Sequence, residues 1–461
     1  MPTSMDYAQL LDSKRHKPAN HGIEPRWMPD AMFDFQKYVA EYAIRKGRCA
    51  VFLDTGLGKT IIELTTAVNY HQHTGKPVLI LTPLAVAFQF IKEAAKFGID
   101  SIEYSKDGKH NAKIVVCNYE RLDKFNADDF GAVILDESSI LKNFDGAIKA
   151  QVTSFMRLVK YRFLFTATPS PNDFIELGTS SEALGYMGFT DMLTKFFTNN
   201  EDTISPMNIG TEWILKGHAR TAFFEWVSSW SVSMRKPSDL GFDDTRHVLP
   251  SMHLRHHMVK NEENLVVNGQ VQLFNQVAKT MPEILSEQRS TVKSRCAQAV
   301  ALSDGHDASV YWCNRNEEGD LLARLDTEAK QISGSMDIEE KEELLMAFAS
   351  GQVKRLITKP KITAFGLNWQ HCAHTVFFPT FSYEQYYQAI RRFWRFGQQR
   401  EVIVDLVYSD GQKRVIDSLV AKAEKANELF SKLNASINTN YRTSVKEFDK
   451  PVQLPTFLTT V

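Results

Sequence analysis

Short apolar runs alternate with amphipathic stretches over two portions of the chain. In the first, CAVFLD (49–54), PVLILT (77–82), AKIVVC (112–117), GAVILD (131–136) and YRFLFT (161–166) read as buried strands, with helical patterns such as residues 86–96 between some of them. In the second, ASVYWC (308–313), AKQIS (329–333), VKRLIT (353–358), HTVFFP (374–379) and EVIVDLV (401–407) repeat the pattern. Near-continuous β-branched runs of this length suit parallel strands covered on both faces, so the rhythm predicts an α/β fold with two parallel-sheet lobes. Residues 178–300 lose that rhythm and read as helical and aromatic, as in TAFFEWVSSWSVSM and QVQLFNQVAKTMPEIL, which predicts a helical insertion between the lobes. After residue 412, RVIDSLVAKAEKANELFSKL predicts a helix with Lys-rich faces, followed by a loosely ordered polar tail containing Pro451 and Pro455. The expected divisions are 1–177, 178–300, 301–432 and 433–461.

Composition narrows the class. A chain of 461 residues, 43% apolar and 24% charged, suits two globular domains of ordinary size. Its net charge of -1 excludes a histone-like electrostatic binder, so any nucleic-acid surface has to be local. Cys49, Cys117, Cys296, Cys313 and Cys372 form no C-x-x-C pair and read as reduced core thiols. The N-terminal MPTSMDYAQLLDSKRHKP has no apolar signal core, and no run approaches the ~18 apolar residues of a membrane span. A cytoplasmic protein without membrane contact is expected.

The first strand runs directly into VFLDTGLGKT (51–60). Gly56 and Gly58 allow torsions that a side chain would penalise, Lys59 can reach β- and γ-phosphates, and the Thr60 hydroxyl can take a place on Mg²⁺. The strict phosphate-loop pattern has Gly where this chain has Leu53, so the run alone is also compatible with an ordinary glycine turn. A nucleotide bound there requires a carboxylate for its metal. Asp136, ending the apolar run AVILDES, can coordinate it, and Glu137 can orient and deprotonate the attacking water. Gln36 falls on an expected helix upstream, where its amide could read an adenine edge or simply face solvent. TATP (166–169) offers hydroxyls at a sheet end and by itself reads as a loop.

In the second portion, QAIRRFWRFGQ (388–398) puts Gln388, Arg392 and Arg395 at i, i+4 and i+7, one face of an expected helix. Two guanidiniums on one face can act as fingers on a γ-phosphate held by another domain, and the interleaved Phe393, Trp394 and Phe396 suit a packed interface better than a solvated one. ITAFGLNW (362–369) supplies a turn that could follow a phosphate backbone or a ribose. His253, His256 and His257, or His371 and Cys372 with His374, lack a second ligand pair at zinc spacing and are not read as a metal site. Trp226 and Trp230, at i and i+4, are read as packing rather than a base-stacking platform.

Taken together, the order and spacing of these elements resemble the two-lobed helicase superfamily two, and within it the Swi/Snf-type DNA translocases. DESSILKN (136–143) is similar to that family's D-E-x-H-x-[IL]-K-N element, and TATPSPNDFIEL (166–177) to its T-G-T-P-x-x-N-x-x-x-E-L element. GLNW (366–369) and QAIRRFWRFGQ resemble its G-x-N-L and Q-A-x-x-R-x-x-R-x-G-Q elements. TPLAVAFQFIKE (82–93) and CNYERL (117–122) resemble its first-lobe DNA-contacting segments, and FSYEQYYQAIRR (381–392) resembles its compact phage and bacterial members. The likeness spans roughly residues 30–430.

The resemblance implies two RecA-like lobes with ATP and Mg²⁺ in the cleft between them. Gln36 would meet adenine, Thr55, Gly56, Leu57, Gly58, Lys59 and Thr60 the phosphates, Thr60 and Asp136 the metal, and Glu137 the water. Arg392 and Arg395 would be fingers from the second lobe beside Gln388. Thr82, Pro83, Tyr119, Thr166, Thr168, Thr363, Gly366 and Asn368 would serve nucleic-acid contact or coupling. Ser139 stands where the family has His, which bears on coupling more than on hydrolysis, and Phe365 and Arg391 replace glycines. The expected activity is ATP-driven translocation on DNA, duplex before single-stranded, by a monomer of bacterial or phage-infected cytoplasm, targeted either by a recruiting protein partner or by DNA structure. A strand-separating or branch-remodelling DNA or RNA helicase and a DNA-binding regulatory module with a vestigial ATPase are the alternatives.

Overall fold

The computed structural model describes residues 20–142, 146–199, 213–260, 266–267, 270–271, 281–363 and 368–444. Its first sheet combines β1 (Arg48–Leu53), β2 (Val78–Thr82), β3 (Ile102–Tyr104), β4 (Ile114–Asn118), β5 (Ala132–Asp136) and β6 (Tyr161–Thr166). Two short strands, β7 (Phe197–Asn199) and β8 (Trp213–Leu215), pair with each other, and β9 (Ser231–Met234) returns to the first sheet, whose order is β3-β4-β2-β5-β6-β1-β9. A second sheet holds β10 (Met252–Val259), then, past the small hairpin of β11 (Val266–Val267) and β12 (Gln270–Val271), β13 (Ser309–Trp312), β14 (Ala329–Gln331), β15 (Arg355–Thr358), β16 (His374–Phe377) and β17 (Val402–Ser409). Its order is β10-β17-β16-β13-β15-β14. Every pairing in both large sheets is parallel, the α/β architecture of two RecA-like lobes. All ten runs read as strands lie in these sheets.

Strand period decides which side each residue covers. Along β1, Ala50 and Phe52 enter one apolar cluster while Cys49, Val51 and Leu53 enter another on the opposite face. Both faces are dry, which is why β1 shows an unbroken apolar run.

Residues 178–300, read as one helical insertion, instead contribute a strand to each sheet. β9 is a serine-alternating SVSM that pairs with β1, and β10 is a His-rich, largely exposed edge strand paired with β17. Neither carries the β-branched run that marks a buried strand, and polar residues on an edge discourage pairing with other chains. Helices of this region do pack as the aromatic content implied: Phe196, Phe223, Trp226 and Trp230 are buried against the first sheet, with the two Trp rings 5.5 Å apart. The helix after β17 runs Lys413–Ser444, past residue 432, where the second lobe was expected to end. Its Leu429, Phe430 and Leu433 lie in the first lobe's core, so this helix spans from one lobe to the other. The tail from residue 445 lies outside the described residues.

Candidate functional site

Parallel sheets of this kind present their strand ends to a ligand crevice. β1 ends at the glycine loop, β5 ends at Asp136, and β6, which lies between them in the sheet, ends at Thr166. The order β5-β6-β1 therefore brings phosphate loop, carboxylate pair and TATP turn together although they are far apart in sequence.

In the loop, Gly56 and Gly58 adopt φ of 86° and 80°, left-handed values open to glycine. A Cβ on Gly58 would lie 2.2 Å from the Gln36 amide nitrogen. Helix Lys59–Thr74 begins directly after Gly58, so its unpaired N–H groups face the crevice. The Lys59 ammonium donates to the Leu53 carbonyl at 3.0 Å. Gln36 sits on helix Asp34–Lys46; its Nε2 donates to the Leu57 carbonyl at 3.1 Å and its Oε1 accepts from the Phe33 N–H at 3.0 Å. That amide ties the helix to the phosphate loop. Leu57 itself is buried.

Asp136 accepts from the Thr82 hydroxyl at 2.8 Å, and the Tyr119 hydroxyl supports its backbone carbonyl at 2.6 Å from a buried position. Glu137 Oε1 accepts from Thr166 at 2.7 Å and Ser139 at 3.0 Å, while the Thr168 N–H donates to the Thr166 hydroxyl at 3.0 Å. Ser139 thus binds the carboxylate directly. Among the described residues, Glu137 is the one non-glycine with positive φ, at 56°, a strain of order 1–3 kcal/mol of the kind that clusters at functional sites. Behind the pair, burial and the charge of Asp136 push the Glu63 carboxyl well above the usual carboxylate range.

The second lobe closes the crevice. Arg392 is buried and Arg395 half-buried at it, but they do not extend a helix as expected: helix Tyr383–Ile390 stops and the chain continues through turns. Phe393 is fully buried, the Arg392 carbonyl accepts from the Trp369 N–H, and Gly397 takes φ of 92°, contacts that a continuing helix would not allow. Burial, then the charge of Arg395, lowers the Arg392 guanidinium's pKa, which Glu137 opposes. Gln388 also faces the crevice, and its buried Nε2 has no hydrogen-bond partner among the described residues. The resulting cavity, about 350 Å³, is lined from one lobe by Gln36, Thr55, Gly56, Gly58, Lys59, Thr60, Pro83, Asp136 and Glu137, and from the other by Gln388, Arg391, Arg392 and Arg395. That volume suits a small-molecule ligand.

Other expected site residues lie elsewhere. Asn368 is exposed and donates to Gln370 at 3.1 Å, outside the cavity. Thr363 ends the short helix Pro360–Thr363, and Gly366, with Phe365 and Asn143, lies outside the described residues. Phe33, Glu93, Asp54, Tyr387 and Arg391 were not singled out as site residues; of these only Arg391 left a sequence signal, as a departure from a glycine. His253 pairs with Glu401, and His257 and His374 share Asp405, which accounts for those histidines as partners of carboxylates on the second sheet.

The donor set fits a nucleotide with its divalent cation. The orphaned Gln388 amide, the glycine cradle and two adjacent carboxylates suit anionic oxygens and a cation, which Thr60 and Asp136 would hold through hard oxygen atoms. Burial, then the charge of Glu137, pushes Asp136 up to about 6, against the Thr82 hydrogen bond and Lys59. Because the folded value exceeds the ordinary ~3.9, this carboxyl's contribution to stability is present at low pH and is lost as pH rises through about 6. Asp136→Asn is expected to raise the nucleotide-free Tm at pH 8 by roughly 2–4 °C and to change it little at pH 5. Scanning calorimetry at the two pH values measures this; an equal shift at both would contradict it.

A nucleotide-sized cleft between two RecA-like lobes, with a phosphate loop on one and arginines on the other, defines a helicase-type ATPase class. Residues 33–176 match the DEAD/DEAH box helicase family, and residues 292–397 match the helicase conserved C-terminal domain. The Drosophila melanogaster SWI/SNF-related matrix-associated actin-dependent regulator of chromatin subfamily A-like protein 1 is 22% identical over 61% of this chain and 36% of its own length. The Mus musculus DNA annealing helicase and endonuclease ZRANB3 is 28% identical over 34% of this chain and 17% of its own. This chain therefore spans about a third or less of the length of those relatives. The solved structure of S. cerevisiae Dbp5 bound to RNA and ADP BeF3 shares the fold, with a TM-score of 0.54 at 13% identity over 87% of this chain and 93% of that one. With both helicase domains matched, the chain is a helicase-type, ATP-hydrolysing enzyme of superfamily two, and it is similar to SWI/SNF-related proteins.

Proposed function

We propose that this protein is an ATP-dependent motor that translocates on double-stranded DNA, with the interlobe cleft as its catalytic unit. The observation carrying this reading is that Lys59, Asp136 and Glu137 line one wall of a single cavity and Arg392 and Arg395 the other. In this reading Gln36 contacts adenine, residues 56–60 hold the phosphates, Thr60 and Asp136 hold Mg²⁺, and Glu137 takes the proton of the attacking water. Bound Mg²⁺ would supply charge neutralisation at the transferred phosphoryl group. Closure favours ATP because the two guanidiniums reach the γ-phosphate only when the lobes meet, so binding and release bias the cleft alternately.

Coupling to nucleic acid has a candidate path in the hydrogen bonds from Glu137 to Thr166 and on to Thr168, with Thr82 and Tyr119 supporting Asp136. Pro83, Thr363, Gly366 and Asn368 are proposed to lie along the nucleic-acid groove or the lobe interface. Near-neutral net charge fits modest, salt-sensitive DNA affinity from few phosphate contacts. Five free, buried cysteines suit a reducing cytoplasm, and among the described residues no helix is long and apolar enough to cross a membrane. The monomeric state, the recruiting partner and the bacterial or phage setting belong to the same proposal. Branch remodelling is the second reading, favoured by the annealing-helicase name of the mouse relative.

The test is the ATPase rate with no nucleic acid, single-stranded DNA, duplex DNA and RNA, beside strand- and triplex-displacement assays. Duplex-stimulated hydrolysis with triplex but not strand displacement is expected, and Lys59→Ala should lower the rate roughly 10²–10³-fold. Strand displacement or fork reversal would favour the second reading, and hydrolysis indifferent to every nucleic acid would exclude both.

A further inference from the structure

Arg391 immediately precedes the first proposed finger and reaches across the cleft. Its Nη2 donates to Asp54 Oδ2 at 2.5 Å, and the Tyr387 hydroxyl donates to Asp54 Oδ1. Asp54 starts the phosphate loop, is 4% exposed, and also accepts from the Thr55 N–H at 2.6 Å. The Arg391 guanidinium lies 4.5 Å from the Trp394 ring and 5.2 Å from the Tyr387 ring, two cation–π contacts that restrain it. Beside this group the two backbones nearly touch: a Cβ on Gly56 would lie 2.9 Å from the Phe396 backbone nitrogen. Farther along the interface, Lys142 pairs with Glu384.

We propose that Asp54, Arg391 and Tyr387 form a clamp that holds the second lobe's arginine segment on the phosphate loop before nucleotide arrives. The pair joins the lobes through two largely buried side chains, so opening the cleft leaves Asp54 without the partner that offsets its burial. Anchoring Arg391 also fixes Arg392, because adjacent Cα atoms stand a constant 3.8 Å apart. Arg391 is accordingly a positioning residue, acting through its neighbour. ATP then meets a population already closed, and its apparent affinity rises with that closed fraction. This last consequence rests on the motor reading above; the clamp itself does not.

The decisive experiment measures interlobe distance by spin labels at Lys113→Cys and Lys330→Cys, exposed positions on the two lobes, in nucleotide-free protein, and ATP hydrolysis in parallel. Arg391→Ala and Asp54→Ala should each lengthen and broaden the distance. Each should also raise the KM for ATP about tenfold, within the ordinary range of conformational coupling, with kcat at saturating ATP changed far less. The charge exchange Asp54→Arg with Arg391→Asp should restore both readouts, which a merely structural defect would not. Tyr387→Phe removes one hydroxyl with little risk to folding and should open the cleft partway. Unchanged nucleotide-free distances, including in Tyr387→Phe, overturn the clamp, as does a charge exchange no better than either single variant. A wild type that hydrolyses no ATP, with variants that still show these distance shifts, counts against the motor reading and supports the clamp.

Discussion

Arg392→Ala is expected to lower kcat for ATP hydrolysis by about 10³-fold or more while changing nucleotide affinity only several-fold, the signature of a group that acts chiefly on the transition state. The geometry behind this is asymmetric. Lys59 comes from the same loop that would bind the ground-state phosphates, whereas Arg392 enters from the other lobe beside Arg395 and within the field of Glu137. A buried guanidinium costs desolvation energy, visible as its lowered pKa, and charge developing on a phosphoryl group would offset that cost. Arg392→Lys should rescue poorly, because an ammonium lacks the planar fork that contacts two oxygens. Steady-state kinetics with a fluorescent-nucleotide titration separate the outcomes, and a tenfold loss or less would assign the role to Arg395 instead.

Glu137→Gln carries the second large effect: hydrolysis should fall roughly 10²–10⁴-fold while ATP and DNA still bind, since a positioned base contributes on that scale. Three features aim this carboxylate. Its backbone is held at positive φ, and the Thr166 and Ser139 hydroxyls both donate to Oε1, leaving Oε2 for a water. Gln preserves the shape and accepts the same hydrogen bonds but takes no proton. Single-turnover quench-flow at saturating ATP checks the chemical step directly. A variant that hydrolyses normally would remove Glu137 from the mechanism and leave its strained backbone unexplained. Thr166→Val should act differently, lowering stimulation by DNA more than basal hydrolysis, because it cuts the link between Glu137 and the TATP turn.

Much of this site is visible in one dimension because its parts are local. The glycine loop needs only adjacent residues to form, and Asp136 advertises itself by ending an apolar strand. The arginine segment was legible by residue type but not by shape. Spacing placed Arg392 and Arg395 on a helix, while the buried Phe393 and the turn at Gly397 end that helix at Ile390. β9 and β10 escaped for a related reason, since serine-alternating and His-rich strands are stable only through the neighbours that pair with them.

Strand periodicity and loop chemistry, which depend on residues near one another in sequence, determined the α/β class, the two parallel sheets and the residues able to handle a nucleotide. The resemblance already placed the phosphate loop and the arginines at one cleft; tertiary structure alone decided the docking that makes that cavity, that the helix Lys413–Ser444 spans both lobes, and that Asp54 meets Arg391. Such contacts form between residues hundreds of positions apart. They depend on how two separately formed sheets dock, and no local pattern encodes that docking.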